Sequence, residues 1–158
     1  MKKNARNFIG FICLLINLGN LSSCKKEAIS STGSQQAFTI QSAHTQVKYN
    51  INLWYPLDYL PSNNYHVVYL LDGDDYFKEA TNLMEKTQRE DIILIGIGYT
   101  DKNNRGTDYS FPKDKNFPSN SGGAKEFIKF INTELIPKIE GELDINSKDR
   151  TLLGHSLG

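Results

Sequence analysis

Arg150-Thr151-Leu152-Leu153-Gly154-His155-Ser156-Leu157-Gly158 is the stretch on which the fold of this chain turns. Its first four residues form a short apolar run, which reads as a strand. The run leads straight into Gly154-x-Ser156-x-Gly158, the spacing of a nucleophile elbow. The chemistry explains the spacing. A nucleophilic serine must stand clear of the sheet edge with its hydroxyl free. A sharp turn from strand to helix achieves this but places the serine backbone in a sparsely populated region. The residues two before and two after then come too close for large side chains, and glycine suits both places. Such a turn also aims backbone N–H groups at one point, where a developing oxyanion can be held.

Working outward from the elbow, the preceding segments alternate between strand and helix patterns. Ala124, Phe127, Ile128, Ile131, Leu135 and Ile139 recur at helical spacing, with Ser121 as a cap. Pro137 predicts a kink or an early end, and Gly141 a stop. Before that, 100–120 is long and polar and carries Gly106, Pro112 and Pro118. A loop of that length is usually functional. Asp91–Tyr99 and His66–Leu71 are near-continuous apolar runs, the mark of strands buried on both faces. Between them, Tyr76–Arg89 reads as a helix with Phe77, Ala80, Leu83, Met84 and Thr87 on one face. Ala37–Ile40 and Val47–Tyr55 alternate apolar and polar, and Ser42–Thr45 can turn, so an antiparallel hairpin opens the domain. The order β-β-β-α-β-α-β implies an α/β fold with a mostly parallel sheet and an antiparallel N-terminal edge. No internal repeat is found.

The first 36 residues have another character. Lys2, Lys3 and Arg6 precede an apolar stretch, Phe8–Leu18. That stretch is short for a membrane span of about 20 residues and reads as a signal peptide over 1–23. It ends in Leu21-Ser22-Ser23-Cys24, which resembles a bacterial lipobox. Cys24 is then the expected lipidation site, with cleavage before it. The other cysteine, Cys13, lies within the leader, so neither a disulfide nor a cysteine-type metal site is expected. Residues 24–36 read as the lipidated Cys and a polar tether, and 37–158 as the domain. These features predict an exported lipoprotein, anchored in the membrane and facing the periplasm or the cell surface. The 158 residues carry 18 basic and 18 acidic side chains. There is no basic excess to suggest a nucleic-acid partner.

Four groups of residues occur together in one order: Tyr69-Leu70-Leu71-Asp72-Gly73-Asp74-x-Tyr76-Phe77, Arg105-x-x-Asp108-Tyr109-Ser110-x-Pro112, Gly122-Gly123-Ala124-x-x-Phe127-Ile128, and the stretch from Arg150 to Gly158. With them the chain resembles the esterase family of α/β-hydrolases that includes enterochelin esterases and S-formylglutathione hydrolase, with mycolyltransferases as distant relatives. The resemblance covers about residues 45 to 158. It implies the α/β-hydrolase fold and a serine carboxylic-ester hydrolase with Ser156 as nucleophile. It also implies the backbone N–H groups of Asp74 and Leu157 as oxyanion donors.

Arg105, Asp108 and Tyr109 are candidates for shaping a substrate pocket, with a solvated loop holding a local ion pair as the alternative. Asp72, Asp74 and Asp75 cluster as metal ligands can, but a turn rich in Asp accounts for them. No metal and no cofactor is expected. His44 and His66 read as structural or surface residues, and His155 as packing beside the elbow. In this fold the triad acid and His follow the nucleophile in the chain. Both are therefore expected beyond Gly158. Ending two residues after Ser156, the chain is expected to be catalytically incomplete by itself and prone to aggregate. The expected substrate is a small-molecule or polysaccharide-linked ester. A non-catalytic surface lipoprotein of the same fold, and an acyltransferase, remain open as alternatives.

Overall fold

The computed structural model describes residues 33–111, 115–116, 120–145, 147 and 149–158. The signal peptide, Cys24 and the tether as far as residue 32 lie outside the described residues.

The chain opens with two antiparallel strands, β1 (Gly33–Gln41) and β2 (Lys48–Pro56). β1 starts four residues earlier than the sequence pattern suggests. Ser34, Gln35 and Gln36 are polar, yet they pair with Tyr55, Trp54 and Leu53 of β2. On a sheet edge the backbone ladder alone can extend a strand whose side chains meet solvent. β3 (His66–Leu71), α1 (Gly73–Thr87) and β4 (Ile92–Tyr99) follow. A one-turn helix, α2 (Arg105–Asp108), interrupts the long polar segment. Then come α3 (Ala124–Phe130), a π-helical turn (Ile131–Leu135), α4 (Ile136–Leu143) and β5 (Arg150–Leu153).

The strands lie in the order β1-β2-β4-β3-β5. β2 meets β4 antiparallel, while β3 runs parallel to both β4 and β5. The apolar runs of β3 and β4 are continuous because both faces of the sheet are covered. Val67, Tyr69, Leu71, Ile93, Ile95 and Ile97 pack against Phe127, Phe130, Ile131, Leu135 and Ile139 on one side. Leu70 and Leu94 pack with Trp54 and Phe77 on the other. α1 lies tight on the sheet: a Cβ on Gly96 would fall 2.6 Å from the Phe77 ring, and one on Gly73 2.7 Å from the Gly96 backbone.

Several expectations for the helices need correction. α3 is preceded by Gly123 rather than capped by Ser121, and Ile128 and Thr87 are exposed. α1 begins at Gly73, not Tyr76, and Leu83 points to solvent at 54% exposure while Thr81 is buried. Phe77, Ala80 and Met84 do face the sheet. The irregularity expected near Pro137 is found: α3 runs through a π turn into α4, where Pro137 has no N–H to donate to the preceding turn. That helix continues past Gly141 to Leu143 and ends at Asp144, which takes the left-handed conformation at φ 48°.

Candidate functional site

β3 and β5 are neighbours in register, with Leu70 opposite Leu153. Both strands therefore end side by side, and each breaks into a sharp turn. After β5 the turn carries Ser156 at φ 60°, an unusual value for a residue with a side chain. The Gly158 N–H donates to the His155 carbonyl at 3.1 Å and closes it. The turn is so tight that a Cβ on Gly154 would lie 2.3 Å from the Gly158 carbonyl carbon. Ser156 and Leu157 are both exposed. This is the geometry required of an elbow that presents a hydroxyl.

After β3 the turn carries Asp72, also left-handed at φ 52°, and leads directly into α1. Asp74 lies in the first turn of α1. There the helix dipole favours negative charge, and the Asp75 N–H donates to the Asp72 carbonyl at 3.0 Å. Asp74 and Leu157 thus sit on the two adjacent turns. The Asp74 side chain is turned back to the sheet, where Oδ2 accepts the Tyr99 N–H at 2.6 Å.

The three residues of the polar loop expected to shape a pocket are held more firmly than a solvated loop would be. Arg105 forms a two-pronged ion pair with Asp72, Nε to Oδ1 and Nη2 to Oδ2, both at 3.0 Å. The pair is not local to the loop: it ties α2 to the end of β3. Asp108 is 3% exposed and accepts hydrogen bonds from the Tyr49 and Tyr99 hydroxyls at 2.8 and 3.1 Å. Burial pushes its carboxyl pKa up, and the two hydroxyl donors only partly oppose this. Burial also raises both tyrosines far above the ordinary phenol range, so they remain donors at neutral pH. Tyr109, pushed up to about 12 by burial, accepts the Asp72 N–H at its hydroxyl. Asp108 and Tyr109 also line a hollow of about 160 Å³ beside the elbow, with Leu71, Phe111, Leu152 and Leu157.

The histidines are engaged in other contacts. The His44 ring meets Thr133 at 3.0 Å, and His66, at the start of β3, meets Asp149 at 2.7 Å and Thr151 at 2.9 Å. His155 lies against Tyr76, with Nδ1 3.3 Å from the hydroxyl. Among the described residues no group of three or more acidic, His or Cys side chains could hold a metal ion. Asp72 is taken by Arg105 and Asp74 by the Tyr99 amide. The contribution of Tyr99 is not singled out by the sequence pattern, and Asp72 and Tyr76 stand there only within the first group of residues, with no partner assigned to either. An acid at the end of a buried strand, followed at a distance by an Arg, is the one signal that could have found the Asp72 pair.

A fold with this sheet order and this elbow defines a class, and the similarities to known proteins give its family. The family model described as "Putative esterase" matches residues 42–158, and the chain belongs to that family. The ferri-bacillibactin esterase BesA of Bacillus subtilis is 30% identical, over 80% of this chain and 53% of that protein. The apo-salmochelin esterase of Escherichia coli is 27% identical, over 62% of this chain and 36% of that protein. Among solved structures, the BES protein of Bacillus cereus superposes with a TM-score of 0.68 at 30% identity, covering 85% of this chain and 55% of that one. The enterobactin and salmochelin hydrolase IroE gives 0.67 at 26%, covering 82% and 55%. The fold is that of the α/β-hydrolases. The chain spans about half, or less, of the length of the curated relatives it matches.

Proposed function

We infer that this chain carries the nucleophile of a serine carboxylic-ester hydrolase. The observation that carries the reading is Ser156 at φ 60° on a glycine-flanked turn at the end of β5. Strain held at an exposed serine is the kind of outlier from which function is argued. Membership of the esterase family supports the same reading.

In this mechanism Ser156 Oγ attacks the ester carbonyl carbon. Its proton passes to a histidine acting as general base. The carbonyl oxygen becomes an oxyanion that accepts the N–H groups of Asp74 and Leu157. Collapse expels the alcohol, which receives the proton from the histidine, and leaves an acyl group on Ser156. Water, deprotonated by the same histidine, then releases the acid. The names of the two curated relatives favour a siderophore ester as substrate.

The test uses the full-length protein. Ser156→Ala should abolish turnover of a chromogenic ester, and a fluorophosphonate should label wild type at Ser156 only. Unchanged turnover in the variant would sink the reading. Transfer of the acyl group to an added alcohol, in preference to water, would move it to an acyltransferase.

The reading includes a lipid anchor at Cys24, supported by the Leu21-Ser22-Ser23-Cys24 pattern. Because β1 begins at Gly33, the chain from Cys24 to the domain could reach at most ~30 Å. Labelled palmitate should enter wild type and not Cys24→Ala. Equal labelling of both would exclude the anchor.

A further inference from the structure

We propose that Asp72 is a positioning residue which, through Arg105, sets the spacing between the two turns that hold the oxyanion donors. The proposal rests on the esterase reading and assigns to one residue how that site is kept in shape.

Asp72 and His155 are the second residues beyond Leu70 and Leu153, which are paired across β3 and β5. The two turns therefore leave the sheet opposite each other. Each contains a residue with a side chain at positive φ, Asp72 at 52° and Ser156 at 60°. Such residues persist only where their surroundings hold them. Both turns also present acceptors to the space between them: the Asp72 carboxylate, whose side chain is 2% exposed, and the His155 carbonyl. Left alone, a buried carboxylate and a carbonyl dipole would push the turns apart.

The Arg105 guanidinium fills that space. Its fork takes both Asp72 oxygens at 3.0 Å, and Nη2 also reaches the His155 carbonyl at 3.4 Å. Tyr109 lies under the same guanidinium, with its ring centroid 5.7 Å from Cζ, and its hydroxyl accepts the Asp72 N–H. The result is a closed set of contacts among the β3 end, the α2 loop and the elbow. Asp74 is two residues after Asp72, and Leu157 two after His155. Fixing Asp72 against His155 therefore fixes the distance between the two donor N–H groups. A lysine cannot make this connection, because it lacks the planar fork.

The functional consequence lies in kcat. Misplacing a donor by about 1 Å costs on the order of 100-fold in rate, while substrate binding elsewhere is untouched. Asparagine accepts the left-handed conformation readily, so Asp72→Asn removes the charge and keeps the backbone. Arg105→Lys keeps the charge and removes the fork.

Both variants, their combination and Ser156→Ala should be made in the full-length protein. The readouts are kcat and KM on a chromogenic ester, the rate of fluorophosphonate labelling, and thermal unfolding. We expect each single variant to lose roughly 10- to 100-fold in kcat with KM within about twofold. The double variant should be no worse than the poorer single, as coupled residues behave. If Asp72→Asn does not fold, Arg105→Lys decides alone. Folded variants with wild-type kcat would overturn the proposal. So would a raised KM at unchanged kcat, since Arg105 would then be touching substrate. Additive losses in the double variant would also overturn it. If Ser156→Ala retains turnover, the esterase reading fails, and that outcome is distinct from all of these.

Discussion

Replacing Gly154 with alanine tests the elbow at its tightest point. The added Cβ would lie 2.3, 2.8 and 3.1 Å from the carbonyl carbon, oxygen and Cα of Gly158. All three are backbone atoms, so no rotamer change relieves the clash. Ordinary contact begins near 3.4 Å, so one segment must move by roughly 1 Å. Overpacking of this kind typically costs about 1–3 kcal/mol. The effect on rate should be larger, because the moving segment carries Ser156 and the Leu157 N–H. A shift of about 1 Å corresponds to ~100-fold in kcat. In the full-length protein, Gly154→Ala should therefore lose about 100-fold in ester turnover. Thermal unfolding run alongside would separate misfolding from mispositioning. A folded variant with wild-type turnover would refute the argument that backbone contact at Gly154 sets the turn.

Three other substitutions probe the scaffold. Gly141→Ala, in α4 with nothing within 4 Å of the new Cβ, should stabilise by about 0.5–1 kcal/mol, and a lower melting temperature would show a hidden constraint. Tyr69→Phe removes a buried hydroxyl that has no partner among the described residues, so it should be neutral or stabilising, by up to about 1–3 kcal/mol; a clear loss would reveal a partner. Asp108→Asn addresses the buried carboxylate. Because its pKa is raised on folding, wild type holds that proton more tightly when folded. Its stability should therefore fall as pH rises from about 3.9, the unfolded value, through the folded pKa. The variant should gain on wild type in chemical denaturation as pH rises above that unfolded value, whereas a constant difference would mean that the tyrosine hydroxyls fully offset the burial.

Much of this architecture is legible in the sequence because two different periods are written into it. His66–Leu71 and Asp91–Tyr99 read as doubly buried strands, and the structure covers both their faces. The elbow is legible because Gly154 and Gly158 bracket a serine directly after an apolar strand. What escapes is decided by partners far away in the chain. Ser34 to Gln36 join β1 only because β2 offers them a ladder. Asp72-Gly73-Asp74-Asp75 has the composition of a turn, yet three of the four begin a helix and the first is sealed by an arginine from another segment. Asp108 looks like a loop acid, and nothing in its neighbours in sequence shows that two tyrosines enclose it.

The π turn at Ile131–Leu135 amounts to one surplus residue in a rod that otherwise advances by 3.6 per turn. Wound instead as an unbroken α-helix, the same residues would place everything downstream about 100° further round the axis relative to α3. Ile139, now fully enclosed against the sheet, would swing towards solvent. So would the Glu140 carboxylate that meets Arg150 at the start of β5. Deleting one residue within the turn would remove the surplus and leave that phase in place. The helix that delivers the chain to the elbow strand is thus phased by an irregularity. A perfectly regular helix of the same length would arrive at Arg150 facing the wrong way.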